Sequence, residues 1–500
     1  MNLKQLFKPL LFLTAAFVIA SCSTDDCDLD HLEKLQGLPA LKAGTFPEED
    51  LTLNVGEKYV YSPKASSPLD IYYQWYQNGE DMSTDPSFTF NAERPSRSKV
   101  ILELSNDLGK VTLENKVTVR GADYSKGCFI INEGWYGHGS GSISYYNYDN
   151  NSIEHWCYKN QNFGDELGVT SQSGTLWNGK LYVCSKQNNQ LVIVDPKTLY
   201  AEKSIGLLLP SGRQAYEFIP VNDQYAVVTA NGDFYRIDLN TFEAIRISTG
   251  STWGGCGSGI VYQDKLLLNV KGQKIYKIDI KTLCGDLSQY DWKNQFPYEN
   301  IDVSTSGGTR FVECKDGNLY TVESTNGENN LVKIKPDFTI EKAPIHASYE
   351  SSSFGAYREA TFCGTSDGTF YYIAGGKIYR ATFDNPAPTE ALTTYTKDGY
   401  GFYGAGIRVN PQTNELLAMY LTSEYNKNLI VRFNATTGEK ISEITYDGYY
   451  IIRKTKCSPL FKRSDISYKT KRPPKNNFPK YSRGSKKSTG KFCFSQCFFL

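Results

Sequence analysis

The feature that most constrains this chain is an internal repeat. Gly179-Lys180-Leu181-Tyr182-Val183 is followed by Leu191-Val192-Ile193-Val194-Asp195-Pro196-Lys197-Thr198-Leu199. The same order of apolar strand, polar turn, second strand, acid and Thr-Leu or Thr-Phe corner returns at 224–242 and at 265–283. Looser copies lie at 318–334, 369–380 and 415–433, and an opening copy joins Cys128-Phe129-Ile130-Ile131 to Ser142-Ile143-Ser144-Tyr145-Tyr146. A period of about 40 to 50 residues with two apolar strands per copy is the signature of four-stranded propeller blades. Seven copies predict an all-β chain with a seven-bladed β-propeller over 127–452, six and eight being the neighbouring alternatives. The inner strand of each blade is read in the run before each copy, for example Gly174-Thr175-Leu176-Trp177 or Gly406-Ile407-Arg408-Val409. The first copy has no such run, so the ring is expected to close with a strand from Thr445 to Ile452.

Residues 45–120 alternate apolar and polar positions in short runs, among them Tyr59-Val60-Tyr61, Ile71 to Tyr76 and Val111 to Val119, bounded by turns such as Gln77-Asn78-Gly79. That pattern predicts a β-sandwich. Tyr73-Gln74-Trp75-Tyr76-Gln77-Asn78-Gly79 with Asp85-Pro86-Ser87-Phe88 resembles the PKD-like, immunoglobulin-type modules of Bacteroidetes surface lipoproteins, which implies that Trp75 is the core tryptophan and that the module is a spacer.

The N-terminus reads as a secretion signal. Lys4 and Lys8 precede an apolar stretch that ends in Ile19-Ala20-Ser21-Cys22. The stretch is about half of the roughly 20 residues a membrane-spanning helix needs. Ile19-Ala20-Ser21-Cys22 resembles a lipoprotein signal box, which implies that 1–21 is removed and that Cys22 carries the lipid, with 22–44 as a linker. Ser23-Thr24-Asp25-Asp26 resembles the export signal of Bacteroidetes surface lipoproteins, so an outer-membrane, lipid-anchored, surface-exposed protein is expected.

The formal net charge of zero hides a division. Residues 453–500 hold 14 Lys or Arg against the single acid Asp465, leaving 40 basic and 53 acidic side chains in 1–452. An acidic body argues against a nucleic-acid partner. The tail keeps no blade pattern and reads as disordered or poorly packed, whether it arises from a reading-frame shift, an altered terminus or a genuine basic tail. Cys128, Cys157, Cys184, Cys256, Cys284, Cys314 and Cys363 cannot all pair, and Cys184 sits in an apolar strand where a cysteine acts as a small hydrophobe.

No catalytic motif emerges. Gly137-His138-Gly139-Ser140-Gly141-Ser142 lacks the Gly-Lys-Ser/Thr ending of a phosphate loop and reads as a hairpin. His31, His138, His155 and His346 lack metal spacing, and there is no Gly-x-Ser-x-Gly elbow. No cofactor is expected, and the chain is read as a binding protein and not an enzyme. The loops leading into the inner strands are rich in aromatic, amide and guanidinium groups, which suit a large polar ring system or a sugar. Candidate ligand contacts are Trp135, Tyr136, Gln172, Arg213, Gln214, Tyr216, Trp253, Arg310, Tyr357, Arg358 and Tyr403.

Ile131-Asn132-Glu133-Gly134-Trp135-Tyr136-Gly137 and Ser142-Ile143-Ser144-Tyr145-Tyr146-Asn147 resemble the YncE-like, surface-layer-type propeller lipoproteins of Bacteroidetes. Relatives in that family include a cobalamin-capturing surface lipoprotein that caps an outer-membrane vitamin B12 transporter. The resemblance implies capture of a ligand, a corrinoid first, for a partner TonB-dependent transporter. A glycan-binding or adhesive protein is the alternative, and a metal-dependent propeller lactonase the third reading.

Overall fold

A computed structural model describes residues 37–448, apart from 123, 125, 135–138, 211, 231–232, 249–255, 271–272, 306–309, 326, 352–360 and 425, together with Ser495–Phe499. The chain divides into two compact units, one of residues 1–93 and 99–118, the other of 94–98 and 119–500. Among the described residues the fold is all-β save for short helical turns such as Cys157–Gln161 and Ile280–Leu283. Among the described residues no helix is long and apolar enough to cross a membrane.

The first unit is a sandwich. A five-stranded sheet contains Tyr72–Gln77, Glu80–Ser83, Leu51–Asn54 and the two long strands Ser96–Asn106 and Gly109–Arg120. Lys58–Tyr61 pairs with Phe88–Asn91 in a second sheet. The sheets share a core because alternate residues of each strand face inward. Trp75 is fully buried, with the rings of Tyr61 and Phe88 each 5.5 Å away, and its indole N–H donates to the Asp85 carbonyl at 2.8 Å. Glu80–Ser83 carries no alternating apolar pattern and is the strand that the sequence does not announce.

Among the described residues the second unit contains seven antiparallel sheets in chain order, six of four strands and one, the sixth, of three. Each repeat supplies two adjacent strands of one sheet. In the second sheet, for instance, these are Lys180–Gln187 and Leu191–Val194, flanked by Val169–Trp177 inside and Ala201–Ile205 outside. The corner is an Asx turn. The Asp195 carboxylate accepts from the backbone N–H groups of Lys197 (2.7 Å) and Thr198 (3.1 Å), and Asp238 repeats this with Asn240 and Thr241. The residue after each threonine, Leu199 or Phe242, then takes a left-handed backbone, with φ of 57° or 61°.

Apolar residues occupy both faces of these strands because each sheet has a neighbour on both sides. Leu181 and Val183 join a cluster with Phe129 and Ile131 of the first sheet, while Tyr182 and Cys184 join Phe218 and Val228 of the third. Such clusters continue from sheet to sheet. The last joins Leu417, Met419 and Ile430 of the seventh sheet to Cys128, Ile130 and Tyr146 of the first, which makes a closed ring. Arg432 reinforces this seam: it forks onto Glu415 at 2.7 and 3.1 Å and lies 4.1 Å from the Tyr148 ring.

The closing strand differs from expectation. Thr445 to Asp447 belong to Lys440–Asp447, the outermost strand of the seventh sheet, and residues 449–452 lie outside the described residues. The inner strand of the first sheet is Ser495–Phe499, paired antiparallel with Cys128–Asn132. The tail expected to lie outside the fold therefore contributes its apolar end to it. The buried edge of Cys128–Asn132 carries backbone N–H and C=O groups that need partners, and the tail supplies a strand.

Behind this strand, the Asn132 amide donates to Ser142 (3.1 Å) and Ser144 (2.9 Å), and Ser144 Oγ lies 2.9 Å from His155 Nδ1. Burial holds the His155 imidazole neutral, pulling its pKa down to about 4.

Two predictions follow from the first sheet. Deleting residues 495–500 should lower stability by roughly 3 kcal/mol through the lost ladder bonds, read from the denaturation midpoint, with hydrogen exchange rising first at Cys128–Asn132; an unchanged midpoint would rule out this closure. A histidine held neutral contributes stability above pH 6.5 that is lost as pH falls toward 4. The wild-type melting temperature should accordingly drop more between pH 7 and pH 5 than that of H155Q, a comparison in which the opposing contribution of Glu154, whose carboxyl burial shifts upward, cancels.

Candidate functional site

The inner strands of four sheets share a distortion at their first residues. Register shifts lie between Ser171 and Ser173, Ala215 and Phe218, Cys256 and Gly259, and Phe402 and Ile407. A bulge inserts residues without partners, bends the strand and re-aims side chains. The bulged positions are Gln172, then Tyr216 and Glu217, then Gly257 and Ser258, then 403–406. Two backbones are forced to suit: buried Thr170 has φ of 60°, and Gly406 has φ of 55°. Below the bulges the inner strands are tied side to side, Ser173 donating to the Tyr216 carbonyl at 2.6 Å and Thr175 to that of Phe218 at 2.8 Å.

These bulges crowd polar groups at the mouth of the ring. Gln172, buried, donates to the buried Glu133 carboxylate at 3.0 Å, and Lys186 lies 3.6 Å from the same oxygen and 5.5 Å from the Tyr216 ring. Tyr216 in turn donates to the Gln214 side-chain carbonyl at 3.2 Å. Glu217 of the third sheet is ion-paired with Arg310, which leads into the fifth. Burial pushes the Glu217 carboxyl pKa up, and the positive charges of Arg310 and of Arg408, on the seventh sheet's inner strand, oppose that shift. One carboxylate thus answers to guanidiniums from two other sheets. The bulges thus gather amide, phenol, carboxylate and guanidinium groups that are largely bonded to one another.

Of the candidates from the sequence, Gln172, Gln214, Tyr216 and Arg310 come together here. Arg213 does not: its guanidinium is 3.8 Å from Asp233, in a cluster with Arg246 of the third sheet's outermost strand. Tyr403 instead borders a shallow depression on the seventh sheet, lined by Met419, Tyr420 and Tyr446. Trp135, Tyr136, Trp253, Tyr357 and Arg358 lie outside the described residues, as do Cys22 and the signal segment. Glu133, Lys186, Glu217 and Arg408 were not among the candidates. The available signal was a charged side chain inside or beside an apolar inner strand.

His155 and His346 are far apart in the chain and separately packed, His346 against Tyr379 at 4.1 Å and bonded to the Pro388 carbonyl at 2.7 Å. Among the described residues no group of three or more His, Cys, Asp or Glu side chains could hold a metal ion. Cys128, Cys157, Cys184, Cys314 and Cys363 are free and buried, and burial raises the Cys184 and Cys363 thiols well above the ordinary range.

A closed ring of antiparallel sheets, each packed on its neighbours, defines a β-propeller. Residues 126–452 match the family described as a domain of unknown function, DUF5074, and the chain belongs to that family. Among solved structures, a quinonprotein alcohol dehydrogenase-like protein of Bacteroides thetaiotaomicron is 25% identical, with a TM-score of 0.63, over 82% of this chain and 97% of its own. A Lactobacillus plantarum protein (10% identity, TM-score 0.43) covers 63% of this chain and 96% of its own. The extracellular domain of a hybrid two-component system from Bacteroides thetaiotaomicron (11%, TM-score 0.39) covers 68% and 40%. No curated protein matches the chain.

The Glu217–Arg310 pair generates a prediction. R310A should cost about 2 kcal/mol at pH 7, since a largely buried carboxylate loses its hydrogen-bonded cation. The cost should shrink as the pH is lowered, since burial raises the Glu217 carboxyl and loss of the opposing Arg310 charge raises it further, and E217Q/R310A should recover part of it; urea midpoints at pH 7 and pH 5 measure all three.

Proposed function

We propose that the chain is a lipid-anchored protein of the outer-membrane surface that captures a polar ligand at the propeller mouth, without turnover, and passes it to a partner TonB-dependent transporter. The observation that carries this reading is the set of bulges that gathers Gln172, Tyr216 and the Glu217–Arg310 pair at one mouth. Directed donors and acceptors on a rigid ring hold a ligand with little loss of entropy on binding. A corrinoid suits them, since its macrocycle is fringed by amide side chains that both donate and accept hydrogen bonds. The resemblance of 131–147 to the YncE-like lipoproteins and the lipoprotein-type Cys22 support the same reading, with the sandwich as a spacer.

Binding is favoured over hydrolysis because Glu133 and Glu217 are each engaged by a cation, whereas a propeller lactonase needs carboxylates directed at a metal. Cyanocobalamin titrated calorimetrically into residues 23–500 should bind with sub-micromolar affinity, and Y216A and R310A should weaken it. A folded sample that gives neither heat nor a thermal shift would remove the corrinoid and leave the glycan-binding alternative.

A further inference from the structure

The third and fourth sheets carry a second polar cluster, which reaches from the outermost strand of the third sheet to Arg213, just before its inner strand, and includes none of the bulged positions. It starts with residues 284–298, which leave the fourth sheet's corner and pack along the outermost strand of the third. There the backbone N–H of Phe296 bonds to the Ser248 carbonyl at 3.1 Å, and the Ser248 N–H donates to the Tyr290 hydroxyl at 3.1 Å. Tyr290 also donates to the Asn294 carbonyl at 2.9 Å. Between these anchors the chain makes a tight turn in which the Asp291 carboxylate accepts from the Lys293 N–H at 3.0 Å and the Asn294 N–H bonds to the Asp291 carbonyl at 2.9 Å. The residue at its tip is Trp292.

Trp292 is 45% exposed, although the Arg246 guanidinium covers its ring at 3.9 Å. A planar ring has two faces, so that much exposure with one face covered leaves the other open to solvent. Single exposed apolar residues are common and mean little. This one is set apart by its anchored turn and by what lies beneath it. Arg246 donates through Nε (2.7 Å) and Nη2 (2.5 Å) to the buried Asp233 carboxylate, and Arg213 lies 3.8 Å from the same oxygen. Two guanidiniums therefore share one carboxylate, while Asp291 and Lys293 on the turn offset each other.

We propose that Trp292, Arg246, Asp233 and Arg213 form a binding site for acidic pyranosides, sugars that bear a ring carboxylate. The hydrogens on one face of a pyranose pack on an indole, and the guanidiniums of Arg246 and Arg213 attract the carboxylate. The site shares no residue with the Gln172, Tyr216, Glu217 and Arg310 set, and it does not rest on the corrinoid reading.

Calorimetric titration of tri-galacturonate and of a hyaluronan tetrasaccharide, each beside its methyl ester, tests it. At least one acid should bind. Its affinity should fall about ten-fold or more in W292A and in R213Q, and its methyl ester should bind about ten-fold more weakly than the acid. W292F, which keeps a ring, should retain intermediate affinity should W292A fail to fold, and neither Trp292 variant should alter the cyanocobalamin titration. The proposal is overturned if neither acid binds the wild type, if folded W292A binds as the wild type does, or if esters and acids bind alike.

Discussion

The pairing of Cys128–Asn132 with Ser495–Phe499 is the contact on which the second unit depends. Seven sheets that bury both faces have no stable open form, because an open arc would leave two apolar faces in water and one inner edge unpaired. Closing the arc covers both. The seam between the seventh and first sheets combines an apolar cluster, the Arg432–Glu415 fork and this five-residue ladder, so three kinds of interaction meet where the ring would otherwise part.

Closure also explains where chemistry can sit. Inside the sheets most apolar side chains are claimed by a neighbour, and changes of register fall beside the outermost strands and at the first residues of the inner strands. The bulges at Gln172, at Tyr216 and Glu217, and at 403–406 lie there. Charges at that depth persist only when paired, and Glu217 is met by Arg310 while Glu133 is met by Lys186. The cluster around Trp292 follows a different logic, being built from a connection between strands and free to vary without disturbing the ring.

Much of the fold is legible in the sequence because local and global demands coincide. Asp195 and Thr198 mark the corner, and Leu191 to Val194 are apolar at every position because two sheets claim them. The closing strand was not legible, since Ser495–Phe499 follows a basic stretch and carries none of the repeat's turn residues; only the demand of the open edge identifies it. The site was legible in part. Gln172 and Tyr216 lie where the repeat register puts them. Arg213, two residues before the inner strand begins, points outward to Asp233, and a period-two pattern cannot foresee the side on which such a residue emerges. Glu217 escaped notice because a single acid in Ala215–Pro220 looks like a solvated position until its partner, 93 residues away, is known.

The position of the closing strand has a consequence for how the chain is made. An all-β ring whose first and last pieces must meet has long-range contacts that form late. Until the ribosome has produced Ser495–Phe499, the first sheet lacks its inner strand, and the six sheets that follow can stack but cannot lock. A chain that lacks this strand keeps an unpaired inner edge, and the delay prolongs its exposure to misassembly.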